Sequence, residues 1–306
     1  FNGWKVCDCI MEFVPQTIIS YTSPQLTQEY ADWNNATTYI VGDKVIYGNY
    51  IWICSFDGSL NFEPKEDSPH WTKWGSSNYW SLIDPRSQTL TVVNSDFIVE
   101  FDKSGIETLV IGYFRGVSIL VEVLDASNNV IGTPEIFRNP RREGIPSYLA
   151  WIHAKFIDYS SRSKVFYLPL FGSKIRVTFS KGSYSNVQVG FMVGGRSTQM
   201  GKTKEGVKLG RTSYTIKNTD EFGITTITSR AKRKYHDFET SVNSDIAMST
   251  LRIIENYEDV VMAFIIDNNV NSKYENIVTL GVYESVEPLA TNNDKTILSW
   301  TVIETI

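Results

Sequence analysis

Histidine, cysteine and methionine are scarce in this chain of 306 residues, at three, three and five copies. His70, His153 and His236 are scattered, and none lies four residues from another or beside a cysteine, so no metal-ligating set is visible. Cys7, Cys9 and Cys54 are an odd number in a chain large enough to need no disulfide framework. Cys7-Asp8-Cys9 also lacks the usual two-residue gap between thiolate zinc ligands. No run approaches 18 apolar residues, which excludes a membrane-spanning helix and predicts no membrane insertion. Phe1-Asn2-Gly3-Trp4 has neither the basic nor the apolar region of a signal peptide, so none is expected. Positive charge is not in surplus either: 29 Lys and Arg stand against 34 Asp and Glu, and no nucleic-acid partner is expected.

Catalytic signatures fail one by one. The stretch from Gly195 to Thr203 imitates a phosphate-binding loop, but five residues rather than four separate Gly195 from Gly201-Lys202-Thr203, and no helix pattern follows. Asp220-Glu221-Phe222-Gly223 carries an inserted Glu and reads as a hairpin turn. No Gly-x-Ser-x-Gly elbow is present, and Glu63, Glu66 and Asp67 read as a solvated acidic loop rather than a glycosidase pair. Asn35-Ala36-Thr37 is a glycosylation sequon by letters alone. The expectation is a protein with no catalytic residue, no metal and no cofactor, hence not an enzyme.

Aromatic residues are abundant: 8 Trp, 16 Tyr and 16 Phe, a composition that favours strands and sugar-binding faces over helical bundles. They are unevenly placed, with six of the eight tryptophans before residue 81. Charge is uneven too: residues 1–80 hold four Lys against nine Asp or Glu, whereas residues 200–240 hold nine Lys or Arg against five acids. The basic stretch reads as a solvated face or a subunit contact.

Between residues 81 and 198, runs such as Phe97-Ile98-Val99-Glu100-Phe101, Ser118-Ile119-Leu120-Val121-Glu122-Val123 and Ile175-Arg176-Val177-Thr178-Phe179 alternate at period two and are separated by turn formers. Two packed sheets bury such alternate faces best. The interruption from Phe137 to Ser163 reads as a long functional or subunit-contacting loop. Further on, Asn243 or Ser244 caps a predicted helix whose Ala247, Leu251, Ile254 and Tyr257 share one face, and strands flank it. The predicted fold class is therefore mainly β and multi-domain. It comprises an N-terminal arm (1–29), a small three-stranded aromatic-rich module (30–78), a jelly-roll-like β-sandwich (79–198) and a C-terminal α+β domain (199–306) with one helix on a sheet. The arm's Ile10-Met11-Glu12-Phe13-Val14 and Ile18-Ile19-Ser20-Tyr21 would be costly to leave exposed, which marks it, with the Phe137–Ser163 loop, for subunit contacts.

The segment from Trp33 through Tyr39, Gly42-Asp43, Val45, Tyr47-Gly48-Asn49-Tyr50, Trp52 and Pro64 to Trp71 resembles the small chitin- and cellulose-binding modules appended to chitinases and bacteriophage tail proteins. The resemblance implies that Trp33, Tyr39 and Trp71 fill a tiny core and that Tyr50, Trp52 and Trp74 are exposed for stacking on sugar rings. Lys164 to Gly195 looks like the galactose-binding-type jelly rolls of phage tails. Gly210-Arg211-Thr212, Thr219 to Thr226 and the basic Arg230 to Lys234 are similar to C-terminal units of the same virion proteins. These resemblances imply a structural virion protein, a tail or baseplate subunit assembled in the host cytoplasm. Its partners would be copies of itself and other tail proteins. The alternative they imply is a polysaccharide-binding protein that contacts chitin or a bacterial surface glycan.

Overall fold

Alternating apolar residues commit most described segments to strands, and the strands differ mainly in how many faces they bury. A computed structural model of the protein describes residues 6–138, 162–182, 184–204, 206–219, 221–223, 225–267, 277–290 and 294–306. Strand β1 (Val6–Pro15) precedes the small module, made of β2 (Thr38–Tyr39), β3 (Lys44–Tyr47), β4 (Tyr50–Cys54), β5 (Ser59–Leu60) and β6 (Trp71–Ser76). The middle block supplies β7 (Thr91–Val93), β8 (Phe97–Asp102), β9 (Thr108–Phe114), β10 (Ser118–Leu124), β11 (Val130–Arg138), β12 (Arg162–Tyr167), β13 (Lys174–Ser180), β14 (Val187–Val189) and β15 (Phe191–Gly195). There follow β16 (Thr198–Lys204), β17 (Lys208–Ser213), β18 (Ile216–Thr219), β19 (Thr225–Thr228) and β20 (Lys232–Asn243). Helix α1 (Ser244–Glu255), β21 (Met262–Asp267), β22 (Ile277–Ala290) and β23 (Lys295–Glu304) complete the order.

The antiparallel order β16-β1-β21-β22-β23-β20 closes into a barrel, because β16 also pairs with β20 at Lys202–Ser241 and Thr203–Thr240. Closure removes the sheet edges that these strands would otherwise present. Alternate residues point inward, so Met11, Phe13, Phe238, Phe264, Leu298 and Trp300 fill the interior, where Trp300 Nε1 donates to Thr240 Oγ1 at 2.9 Å. Helix α1 packs Ala247, Leu251 and Ile254 onto this core, on the face expected from the sequence, with Tyr257 beside them.

Two expectations need correcting. The C-terminal unit carries its helix on a sheet as expected, but that sheet closes into a barrel and takes in β1 from outside residues 199–306. Residues 6–15 are not an assembly arm: Met11, Phe13 and Val14 are fully buried, and β1 sits between β16 and β21, whose edges would stay open without it. After Pro15 the chain crosses to the middle block, where Thr17 N donates to Gly194 O and Ile18 and Tyr21 enter its core. The barrel is thus built from residues 6–15 and 198–304, with the small module and the middle block between them in sequence.

In the middle block the sheet β11-β10-β13-β8 faces the sheet β12-β9-β15 over Phe97, Val99, Ile119, Phe166, Val177 and Phe179. The short pair β14-β7 flanks them, and the block is sandwich-like. Sheet β12-β9-β15 is buried on both sides. Leu109, Ile111, Phe166 and Met192 point into the sandwich, while Val110, Val165, Phe191 and Val193 pack on Val14, Ala263, Ile265 and Leu280 of the barrel wall. Burying one such side chain is worth about 1.5–3 kcal/mol, so this sheet joins the two units firmly. Of the Phe137–Ser163 segment, residues 139–161 lie outside the described residues.

Candidate functional site

In the small module, β3, β4 and β6 form one sheet, and Gly48-Asn49, a residue pair that signals a tight hairpin, joins β3 to β4. Gly48 has a φ of +63°, a left-handed conformation that glycine adopts without a Cβ penalty. Val45 pairs with Trp52 and Cys54 with Trp71, and these four residues pack with Tyr39 as the module's core. Trp33 packs on the rim of that cluster.

The three residues expected to bind sugar are therefore placed differently. Trp52 is only 5% exposed, and its Nε1 donates to Tyr47 O at 3.3 Å. It is a core residue, because period two puts it on the same face as Cys54, opposite Val45. Tyr50, at the end of that face, is half-buried and carries the Lys73 ammonium 3.5 Å from its ring centre. Trp74 is 61% exposed. It is the extra residue of a β-bulge, since Ile51 pairs with Gly75 while Trp52 pairs with Lys73. Lys44 Nζ lies 4.1 Å from the Trp74 ring centre and 5.4 Å from that of Tyr30. The structure thus brings Trp74, Lys44 and Tyr30 together and separates Trp52 from them.

A second constellation was not legible as a site in the sequence. Between the sandwich and the barrel lies an open cleft of about 580 Å³. Arg115 and Gln188 line it from the sandwich, Ser87 and Leu90 from the loop before β7, and Arg211, Arg230, Lys232 and Lys234 from the barrel. Arg115 and Gln188 exchange backbone hydrogen bonds at 2.8 and 2.9 Å, which carries β9 onto β14.

Tyr113 and Glu304 form the inner wall. A bulge in β9 places Tyr113 at a φ of +55°, a costly conformation for an aromatic residue. Surrounding contacts hold it there: its hydroxyl donates to Glu304 and accepts from Lys234 Nζ at 2.6 Å. Gly190 leaves room for the bulge, because a Cβ there would lie 2.7 Å from Tyr113 Cβ. Glu304 is 2% exposed, and Lys234 Nζ stands 3.8 Å from it. Burial, reinforced by the Glu304 charge, pushes the Tyr113 hydroxyl well above its ordinary pKa. Deeper in the barrel mouth, Thr279 Oγ1 lies 2.8 Å from His236 Nδ1. Burial, helped by Lys234 and opposed by Glu304 and Asp237, lowers the His236 pKa to about 4, so the ring is neutral near pH 7. A sequence signal for this cleft did exist, in the excess of basic residues over 200–240, but nothing in the sequence joins it to Arg115 or Tyr113.

Among the described residues no group of three or more His, Cys, Asp or Glu side chains is placed to hold a metal ion, and no helix is long and apolar enough to cross a membrane. The Gly195–Thr203 stretch enters strand β16 rather than a loop before a helix. Comparison with known proteins gives no match: no family fits the chain, and no curated protein or solved structure is significantly similar to it.

Proposed function

We propose that the protein is a non-enzymatic structural subunit of the kind that builds the tail or baseplate of a tailed bacteriophage, holding copies of itself and neighbouring tail proteins in place. One observation carries the reading. Strands β18 and β19 pair from Ile216–Thr228 to Thr219–Thr225, and every residue of both strands is exposed. They extend β17, itself almost wholly exposed, so that a ribbon leaves the barrel with Leu209, Tyr214, Ile216 and Ile227 open to solvent. An isolated two-stranded hairpin is marginally stable in water, and an exposed ribbon with unpaired strand edges and solvent-facing isoleucines is what a neighbouring molecule covers. Charge at the root of the ribbon favours another copy as that neighbour, since Lys208, Arg211, Arg230, Lys232 and Lys234 are gathered there and residues 1–80 are acidic. A ribbon of one copy on the acidic module of the next is a head-to-tail contact, which closes into a ring or extends as a filament.

Sedimentation velocity at micromolar concentration tests this. The full chain should sediment as an oligomer that dissociates as salt rises, and replacement of residues 216–228 by Asn-Gly should leave a folded monomer. A full chain that is monomeric at tens of micromolar, or a replacement that assembles equally well, contradicts it.

The exposure of Trp74 beside Tyr30 and Lys44 favours a second reading, polysaccharide binding, because pyranose rings stack their C–H faces on flat aromatic rings. Retention of the full chain on chitin or a bacterial surface glycan, lost on Trp74→Ala, supports it. Absence of retention counts against it.

A further inference from the structure

We infer that the cleft between sandwich and barrel is a binding site for a small phosphate-type polyanion. Five cations line it, Arg115, Arg211, Arg230, Lys232 and Lys234, against one carboxylate, Glu304. That concentration runs against the composition of the chain, in which acids outnumber bases. Glu304 is taken up by Lys234 and Tyr113. Among the described residues, Arg115, Arg211, Arg230 and Lys232 have no carboxylate within 4 Å. Interspersed charge of both signs is the ordinary state of a surface, and like charges gathered around a concavity repel one another until an anion enters.

The cations come from two folding units. Arg115 stands at the end of β9 on the sandwich side, and Arg211 and Lys232 stand at the root of the ribbon on the barrel side. The doubly buried sheet β12-β9-β15 holds these units together, so the arrangement is organised before any ligand arrives. Three of the cations are guanidinium groups, whose planar forks match phosphate oxygens two at a time. A cleft of about 580 Å³ has the volume of a small-ligand site, and it admits more than one phosphate group.

Isothermal titration of the full chain with sodium tripolyphosphate, at fixed ionic strength, tests the inference. Saturable binding at one site per chain is expected. Arg115→Ala and Arg211→Ala should each weaken it about tenfold, as expected for loss of one charge-assisted hydrogen bond. Arg211→Lys should recover only part of the loss, because a point charge replaces the fork. Lys65→Ala, in the small module, should leave binding unchanged. The 216–228 replacement keeps Arg230 and should bind like the full chain, which separates this site from self-assembly. Absence of saturable heat at millimolar tripolyphosphate, or undiminished affinity in both arginine variants, overturns the inference.

Discussion

Sheet β12-β9-β15 and the ribbon of β17, β18 and β19 are both made of short antiparallel strands, yet one buries two faces and the other almost none. The first reads Phe191-Met192-Val193-Gly194-Gly195 in β15 and is buried at every position; the second reads Ile216-Lys217-Asn218-Thr219 in β18 and is exposed at every position. Pairing alone therefore does not say what a strand is for. The doubly buried sheet holds the chain to itself, and the doubly exposed ribbon leaves Ile216 and Ile227 in solvent.

The comparison is broken most severely at the joint. Phe191→Ala removes a ring packed between sandwich and barrel and should cost about 3–5 kcal/mol, read as the loss in denaturant midpoint. Trp52→Ala should destabilise the module by a similar amount, about 3–5 kcal/mol, and Trp74→Ala by less than about 0.5 kcal/mol, if core and surface are divided as described. A thermal melt of both variants checks this.

His236 sharpens the account of the barrel mouth. Its folded pKa, about 4, lies below the ordinary value of 6.5, so as pH falls the unfolded chain takes up this proton first. The contribution of His236 to stability should be full above pH 6.5, decline between 6.5 and 4, and change no further below 4. The decline should reach about 3 kcal/mol. His236→Gln should flatten that part of the stability profile. The smallest effect belongs to the ribbon: replacing residues 216–228 by Asn-Gly should alter monomer stability by less than about 0.5 kcal/mol, measured by denaturation at nanomolar concentration.

Local features were legible in the sequence because they depend on neighbours along the chain. Period-two runs marked β8, β10 and β13, Gly48-Asn49 marked the first hairpin, and the spacing of Ala247, Leu251 and Ile254 marked helix α1. Long-range pairing was not legible. Met11 and Phe13 announced apolar surface to bury, which the sequence assigned to an arm for subunit contacts, and nothing in it names β16, more than 180 residues away, as the partner. Trp52 illustrates a narrower limit: period two assigns it the same face as Tyr50, and only the packing of Tyr39 and Trp71 decides that this face is the core. The cleft was hidden for the first reason, since Tyr113, Arg211 and Glu304 meet only after the barrel closes and docks.

Hydrogen exchange followed at two protein concentrations tests the division between joint and ribbon most directly. Amides of β9 and β15 should be equally protected at nanomolar and micromolar concentration, whereas those of β18 and β19 should exchange freely when dilute and become protected as copies associate. Ribbon amides whose exchange does not depend on concentration would contradict the account.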